Sequence, residues 1–104
     1  MRQFDVLTNI DARSAQWAPY VVVLQHDLLG DLDTVVAAPL VREDQAPRPL
    51  HGLDPVVELS GERFVVSTQE LAGVSRRHLG EVAGTLEAER DALIKAIDLL
   101  FTGI

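Results

Sequence analysis

The stretch TLEAERDALIKAIDLLFTGI, Thr85 to Ile104, decides how the rest of the chain is read. Leu86, Leu93, Ile97, Leu100 and Ile104 recur at steps of seven, four, three and four, and Ile94 and Phe101 widen the same stripe. That is the spacing of one helix face. The opposite arc carries Asp91, Lys95, Asp98 and Thr102. Thr85 offers a hydroxyl to the free amides of a helix over Leu86 to Phe101, although Ala88 stands where a full capping box needs Glu or Gln. Glu87, Glu89 and Asp91 suit the positive end of the helix dipole, and Asp91 with Lys95 forms a favourable pair one turn apart. Terminal residues fray unless something docks them. An apolar pattern that continues to Ile104 therefore has two readings: the helix packs only on its own domain, or its end belongs to a contact surface.

Upstream of this helix the pattern is that of strands. Phe4, Val6 and Thr8 alternate with Asp5 and Leu7, a first strand closed by Asn9 to Arg13. Tyr20 to Gln25 is a continuous β-branched and aromatic run, which predicts a central strand covered on both faces. His26 to Asp33 is turn-rich. Thr34 to Leu40 reads as another strand ending near Pro39, whose missing amide proton would interrupt a ladder. Arg42 to Pro55 holds three of the five prolines and Gly52, and reads as a surface loop. Val56–Leu59 and Arg63–Ser67 flank Ser60, Gly61 and Glu62 as a tight hairpin. Thr68 to Gly73 holds one helical turn, and Val74 to Leu79 is a last, weak strand. Five or six short strands and one helix give a mainly β chain, a small barrel or curled sheet with a C-terminal α-helix packed on it.

At 104 residues the chain forms a single domain, residues 1–104, large enough to bury a core without a staple. It has no cysteine, which excludes disulfides and cysteine-based metal sites. No apolar run approaches the roughly 18 residues of a membrane span. Met1 to Ile10 lacks the basic start and apolar block of a signal peptide. These features predict a cytoplasmic protein with no membrane partner. Sixteen acidic against nine basic residues give a net charge of −7, which disfavours neutralising nucleic-acid phosphates over a broad surface. Arg76, Arg77 and His78 form the one compact basic group, read as a solvated segment end before a phosphate site.

The search for self-contained chemistry returns none. His26, His51 and His78 lie in separate segments without ligand spacing, so no metal and no cofactor is predicted. Asp31 with Asp33 and Glu87 with Asp91 suit turn and capping roles, with no nucleophile beside them. Ser60, Ser67 and Ser75 have no nucleophile-elbow context, and the glycines form no phosphate cradle. No catalytic residue is assigned, and function is sought in a binding surface. Leu28 and Leu29, beside His26, either plug one end of the barrel or stand exposed. Trp17 reads as a rim packer. Such large side chains carry binding energy when they are exposed.

Several of these residues together resemble the CcdB family, the toxins of bacterial toxin–antitoxin modules. The resemblance is carried by Gln3-Phe4, by Gln25-x-Asp27 followed by two aliphatics, and by Ala38-Pro39-Leu40. Further on it is carried by Leu53-x-Pro55-Val56-Val57, Leu71-Ala72 and Gly80-Glu81. It ends on Ala96-Ile97-x-Leu99-x-Phe101-x-Gly103-Ile104. The pattern lies along Leu53 to Ile104 without a gap and is followed least well at Ser14–Ala18 and Arg42–His51.

The resemblance implies an SH3-like barrel with a C-terminal helix, of the CcdB and MazF kind. It implies a homodimer that pairs the helices and brings the two C-termini together, with Ile97, Leu100 and Phe101 at the interface. It implies a non-enzymatic poison of DNA gyrase, a type II topoisomerase, whose A subunit is gripped by the tail and by the loop after the central strand. A cognate antitoxin with a disordered C-terminal segment wraps and neutralises the toxin, and DNA is met only indirectly through that complex in operon autoregulation. Carried over by position, the target-binding residues are Leu28 and Leu29 in the loop and Gly103 and Ile104 in the tail, with His26, Asp98 and Thr102 beside them. Three of these depart from the family pattern. Thr102 replaces a tryptophan that stacks on a gyrase arginine, Asp98 replaces an asparagine, and His26 stands where serine is usual. Two other functions compete: a ribonuclease of the MazF class, which needs a basic RNA groove, and a non-toxic homologue retained for antitoxin binding.

Overall fold

The computed structural model describes residues 1–104. Seven strands precede one helix: β1 (Asp5–Asn9), β2 (Tyr20–Val23), β3 (Thr34–Arg42), β4 (Val56–Leu59), β5 (Glu62–Val66), β6 (Ala72–Ser75), β7 (Leu79–Thr85) and α1 (Arg90–Thr102). All pairings are antiparallel, in the order β4-β5-β3-β2-β1-β7, with β6 added to β3. The sheet curls into a half-barrel, far enough for the Leu59 side chain of β4 to reach β7. A Cβ on Gly84 of β7 would lie 2.6 Å from Leu59 Cδ1 of β4, so only glycine lets the opposite ends of the strand order come this close. No helix is long and apolar enough to cross a membrane.

Strands β1 and β2, and β3 from Ala37 onward, are covered on both faces, as the continuous Tyr20–Gln25 run predicts for β2, whereas Thr34 and Val36 at the start of β3 are exposed. On one face Phe4, Val6, Val22, Ala38, Leu40, Val57, Phe64 and Val66 form the main core, closed by Leu86 and Leu93. Alternate residues Leu7, Val21, Val23, Val35 and Ala37 form a second cluster on the other face. A 3₁₀ turn, Arg76–His78, carries the chain from β6 on the β3 edge to β7 on the β1 edge. That crossing brings Val74 and Leu79 over the second cluster.

Four expectations are corrected. Strand β3 runs through Pro39 to Arg42. Pro39 accepts from Ser67 N at 2.9 Å, on the edge where β6 has stopped and β5 begins, so its missing N–H falls in a gap of the ladder. Val74–Leu79 is not one strand but the end of β6, the turn and the start of β7. Asn9 ends β1 and is buried, its side chain donating to Ala18 O at 2.8 Å and Ser14 Oγ at 2.9 Å. Thr85 does cap, accepting from Glu87 N at 3.1 Å, but it caps a 3₁₀ turn over Glu87–Glu89 that leads into α1. The hairpin forms with a two-residue turn: Ser60 and Gly61 both take positive φ, the requirement of type I′.

Helix α1 buries Leu93 and Ala96 and rests Ile94 and Ile97 on the main core. Phe4, at φ 68°, is fully buried under it, and the Arg90 guanidinium lies 5.5 Å from the Phe4 ring centre.

Candidate functional site

The loop between β2 and β3 is a 3₁₀ turn over Asp27–Leu29 with an irregular return through Asp33. It does not plug the barrel. Leu28 is 88% exposed, and Leu29 and Leu32 stand about half exposed beside it. Three leucines on one loop are not placed there by folding, because burial would have been the stabilising outcome for each.

Polar side chains hold this loop from its own sequence. His26 Nδ1 accepts from Leu28 N at 3.1 Å and so caps the turn. Gln25 accepts from Val36 N at 3.2 Å and donates to Leu29 O at 3.0 Å, tying the loop's near side to β3. Asp27 accepts from Gln3 N at 2.6 Å and lies 3.7 Å from the Arg2 guanidinium. The sequence reading placed His26 at the target surface; the structure gives it a capping role on an exposed loop. Gln25 was visible only as part of a motif.

The tail is exposed as well. Gly103 adopts φ 75°, and its N–H bonds to Leu99 O at 3.0 Å, which ends the helix and turns Ile104 away from the apolar stripe. Ile104 is 91% exposed and Phe101 68% exposed, whereas Leu99 and Leu100 are half-buried. Thr102 donates from its hydroxyl to Asp98 O at 2.6 Å, and both residues face solvent. Of the three interface residues, Ile97 is partly taken up by the chain's own core, Leu100 is half-buried, and Phe101 is free.

Loop and tail are not brought together within one chain. Asp27 shares a polar depression with Arg2, Thr85, Glu87 and Arg90 at the start of α1. Gly103 and Ile104 lie beyond its other end, and a 13-residue helix is about 20 Å long. Elsewhere, a groove of about 450 Å³ runs between Pro49, Leu50 and Val56 and the helix residues Ala92 and Lys95. Trp17 sits at the mouth of a cavity of about 280 Å³ lined by Val41, Pro47, Arg48 and Val65, a rim position as expected.

The basic group does not survive as a patch. Arg76 is spent on backbone carbonyls, its Nε donating to Leu32 O at 2.5 Å and Nη2 to Gly30 O at 2.7 Å. His78 Nδ1 lies 3.7 Å from Asp11, leaving Arg77 alone without a side-chain partner. Two carboxyls have lowered pKa values, both away from the loop and tail. Asp11 is held at about 2, first by side-chain hydrogen bonds from Arg13 and next by the Arg13 backbone N–H. Glu43 is lowered chiefly by hydrogen bonds from Arg63.

The sequence profile described as CcdB protein matches residues 3–103. The chain belongs to the CcdB family. No curated protein sequence matches it significantly. Among solved structures, one described as the crystal structure of an Mtb toxin superposes with a TM-score of 0.72 at 25% identity, over 91% of this chain and 99% of that one. The Mycobacterium tuberculosis toxin MazF-mt6 superposes with a TM-score of 0.66 at 24% identity, over 79% of this chain and 84% of its own. Both likenesses are likenesses of fold.

Proposed function

We propose that this CcdB-family chain is a toxin that acts without catalysis, by binding the A subunit of DNA gyrase through the Leu28–Leu29 loop and the Asp98–Ile104 end of α1. The observation that carries this reading is the exposure of Leu28, Phe101 and Ile104, at 88%, 68% and 91%, in segments that carry the family pattern. Large apolar side chains held in water on ordered backbone are what a binding surface needs. In this reading the domain is an SH3-like barrel. Two copies pair along α1 through Ile97, Leu100 and Phe101, and a disordered antitoxin segment folds over the acidic surface to neutralise it.

The test is growth inhibition and gyrase pull-down for the parent chain and for a truncation lacking Gly103 and Ile104. Toxicity and capture in the parent, both lost in the truncation, are the expected result. A parent and truncation equally toxic without gyrase capture would refute it. The MazF-like likeness favours a second reading, a ribonuclease. Against it stand the net charge of −7 and the diversion of Arg76 to carbonyls. Single-stranded and structured RNA should survive incubation with the pure protein; specific cleavage would establish the second reading in place of the first.

A further inference from the structure

The Leu28 loop is gripped from a part of the chain far away in sequence. Arg76, on the turn between β6 and β7, sends two guanidinium donors to Leu32 O and Gly30 O, residues 44 and 46 positions earlier. Its backbone N–H adds a bond to Asp33 O at 3.2 Å. A planar fork can satisfy two carbonyls on neighbouring residues at once; an ammonium on a flexible stem cannot match that geometry. Both bonds are charge-assisted, the stronger kind.

In a chain with sixteen acidic residues, this arginine forms no ion pair. It is spent on neutral groups, the two carbonyls and, from Nη1, the Met1 thioether sulfur at 3.5 Å, at the return of a loop whose near side is already fixed by Gln25, His26 and Asp27. Arg76 supplies the side that local sequence leaves open. Fixing a loop residue costs backbone entropy, and a loop ordered before encounter spares its partner that cost.

We infer that Arg76 is a positioning residue, whose guanidinium holds the 30–32 return so that Leu28, Leu29 and Leu32 project as one preformed apolar knob for the protein target. The inference rests on the reading that this loop touches the target. It assigns Arg76 no contact with the partner.

The experiment compares the full-length parent with Arg76→Gln, Arg76→Lys, Arg77→Gln and Leu28→Ala. Amide exchange at Leu29 and Gly30 is measured in the free protein, and affinity for the gyrase A subunit is measured across a salt series. Arg76→Gln should speed exchange at Leu29 and Gly30 and weaken binding roughly tenfold, the equivalent of about 1.4 kcal/mol or one net hydrogen bond. Its salt dependence should match the parent's, because the lost group faces carbonyls and not the target. Arg76→Lys should recover part of both losses. Arg77→Gln should leave loop exchange unchanged.

Exchange as in the parent for Arg76→Gln would overturn the clamp. Faster exchange with parental affinity, while Leu28→Ala binds weakly, would overturn the positioning role. A flattened salt dependence with unchanged exchange would make Arg76 a direct contact and also overturn it. Parental affinity in Leu28→Ala would strike the underlying reading of the loop, and the inference with it. That failure is distinguishable because loop exchange is read without gyrase.

Discussion

Replacing Thr102 with tryptophan tests which face of α1 meets the target. Thr102 is exposed, and its hydroxyl bonds only to Asp98 O, one turn back in its own helix. Removing such a back-bond and placing a larger side chain in solvent changes stability by no more than about 0.5 kcal/mol. A tryptophan brings about 150–250 Å² of burial and a face for cation–π contact with an arginine. Once ordering and desolvation are set against that area, a central aromatic contributes roughly 2–4 kcal/mol, or between one and three decades of affinity at about 1.4 kcal/mol each. Thr102→Trp should therefore bind the gyrase A subunit between about ten and a thousand times more tightly than the parent. Titration calorimetry reads the affinity, growth inhibition should rise in parallel, and the melting temperature should stay fixed. A folded Thr102→Trp protein with parental affinity would show that this arc is not part of the target surface.

Sedimentation equilibrium at tens of micromolar should show a dimer, and Phe101→Asp should give a folded monomer, because a charge replaces an apolar group that only a partner copy would cover; a monomeric parent refutes the pairing. Gly84→Ala should destabilise the chain by about 1–3 kcal/mol, since the new methyl must displace Leu59 within the core, and a shift in melting temperature of less than about 2 °C would contradict the close approach of Leu59 to Gly84. Asp11 has a folded pKa of about 2 against 3.8 for the ordinary group, so its contribution is present above pH 3.8 and is lost as pH falls toward 2. In an NMR titration Arg13→Gln should return the Asp11 midpoint toward 3.8, and an unmoved midpoint would exclude Arg13 as the cause.

The legible parts of the fold are those whose burial follows a period. The strand expected over Tyr20–Gln25 forms over Tyr20–Val23 because its neighbours cover it on both sides, and the helix expected over Leu86–Phe101 forms from Arg90 because Leu93, Ile94, Ala96 and Ile97 meet one core. The missed strand, β7, pairs only with β1, leaves most residues exposed and carries two glycines. Gly80 is there because a Cβ would press within 3.1 Å of Ile10 Cγ2 and 3.2 Å of Thr8 Cβ, and Gly84 because of Leu59. Those are tertiary constraints, and they erase the alternation that local reading depends on. The extension of β3 through Pro39 was hidden for a related reason. Proline breaks a ladder only where a partner waits for its N–H, and which strand flanks position 39 is decided by residues some thirty positions away.

The candidate site divides in the same way. Leu28, Leu29, Gly103 and Ile104 were visible as residues, but their exposure and separation were not. No spacing rule tells whether segments more than 70 positions apart meet. Within one chain they lie toward opposite ends of α1. In the proposed reading, a partner touching both on one chain would lie along the helix, where the exposed side chains include Glu87, Asp91, Asp98 and Thr102, at steps of four, seven and four. In that reading, the polar arc that sequence presents as a solvated face is the path between loop and tail. Asp98 and Thr102, both departures from the CcdB pattern, sit on it with no role in the core. In the proposed reading a change there costs the fold little and acts chiefly on recognition, so these two positions would bear on target choice more directly than any substitution beneath them.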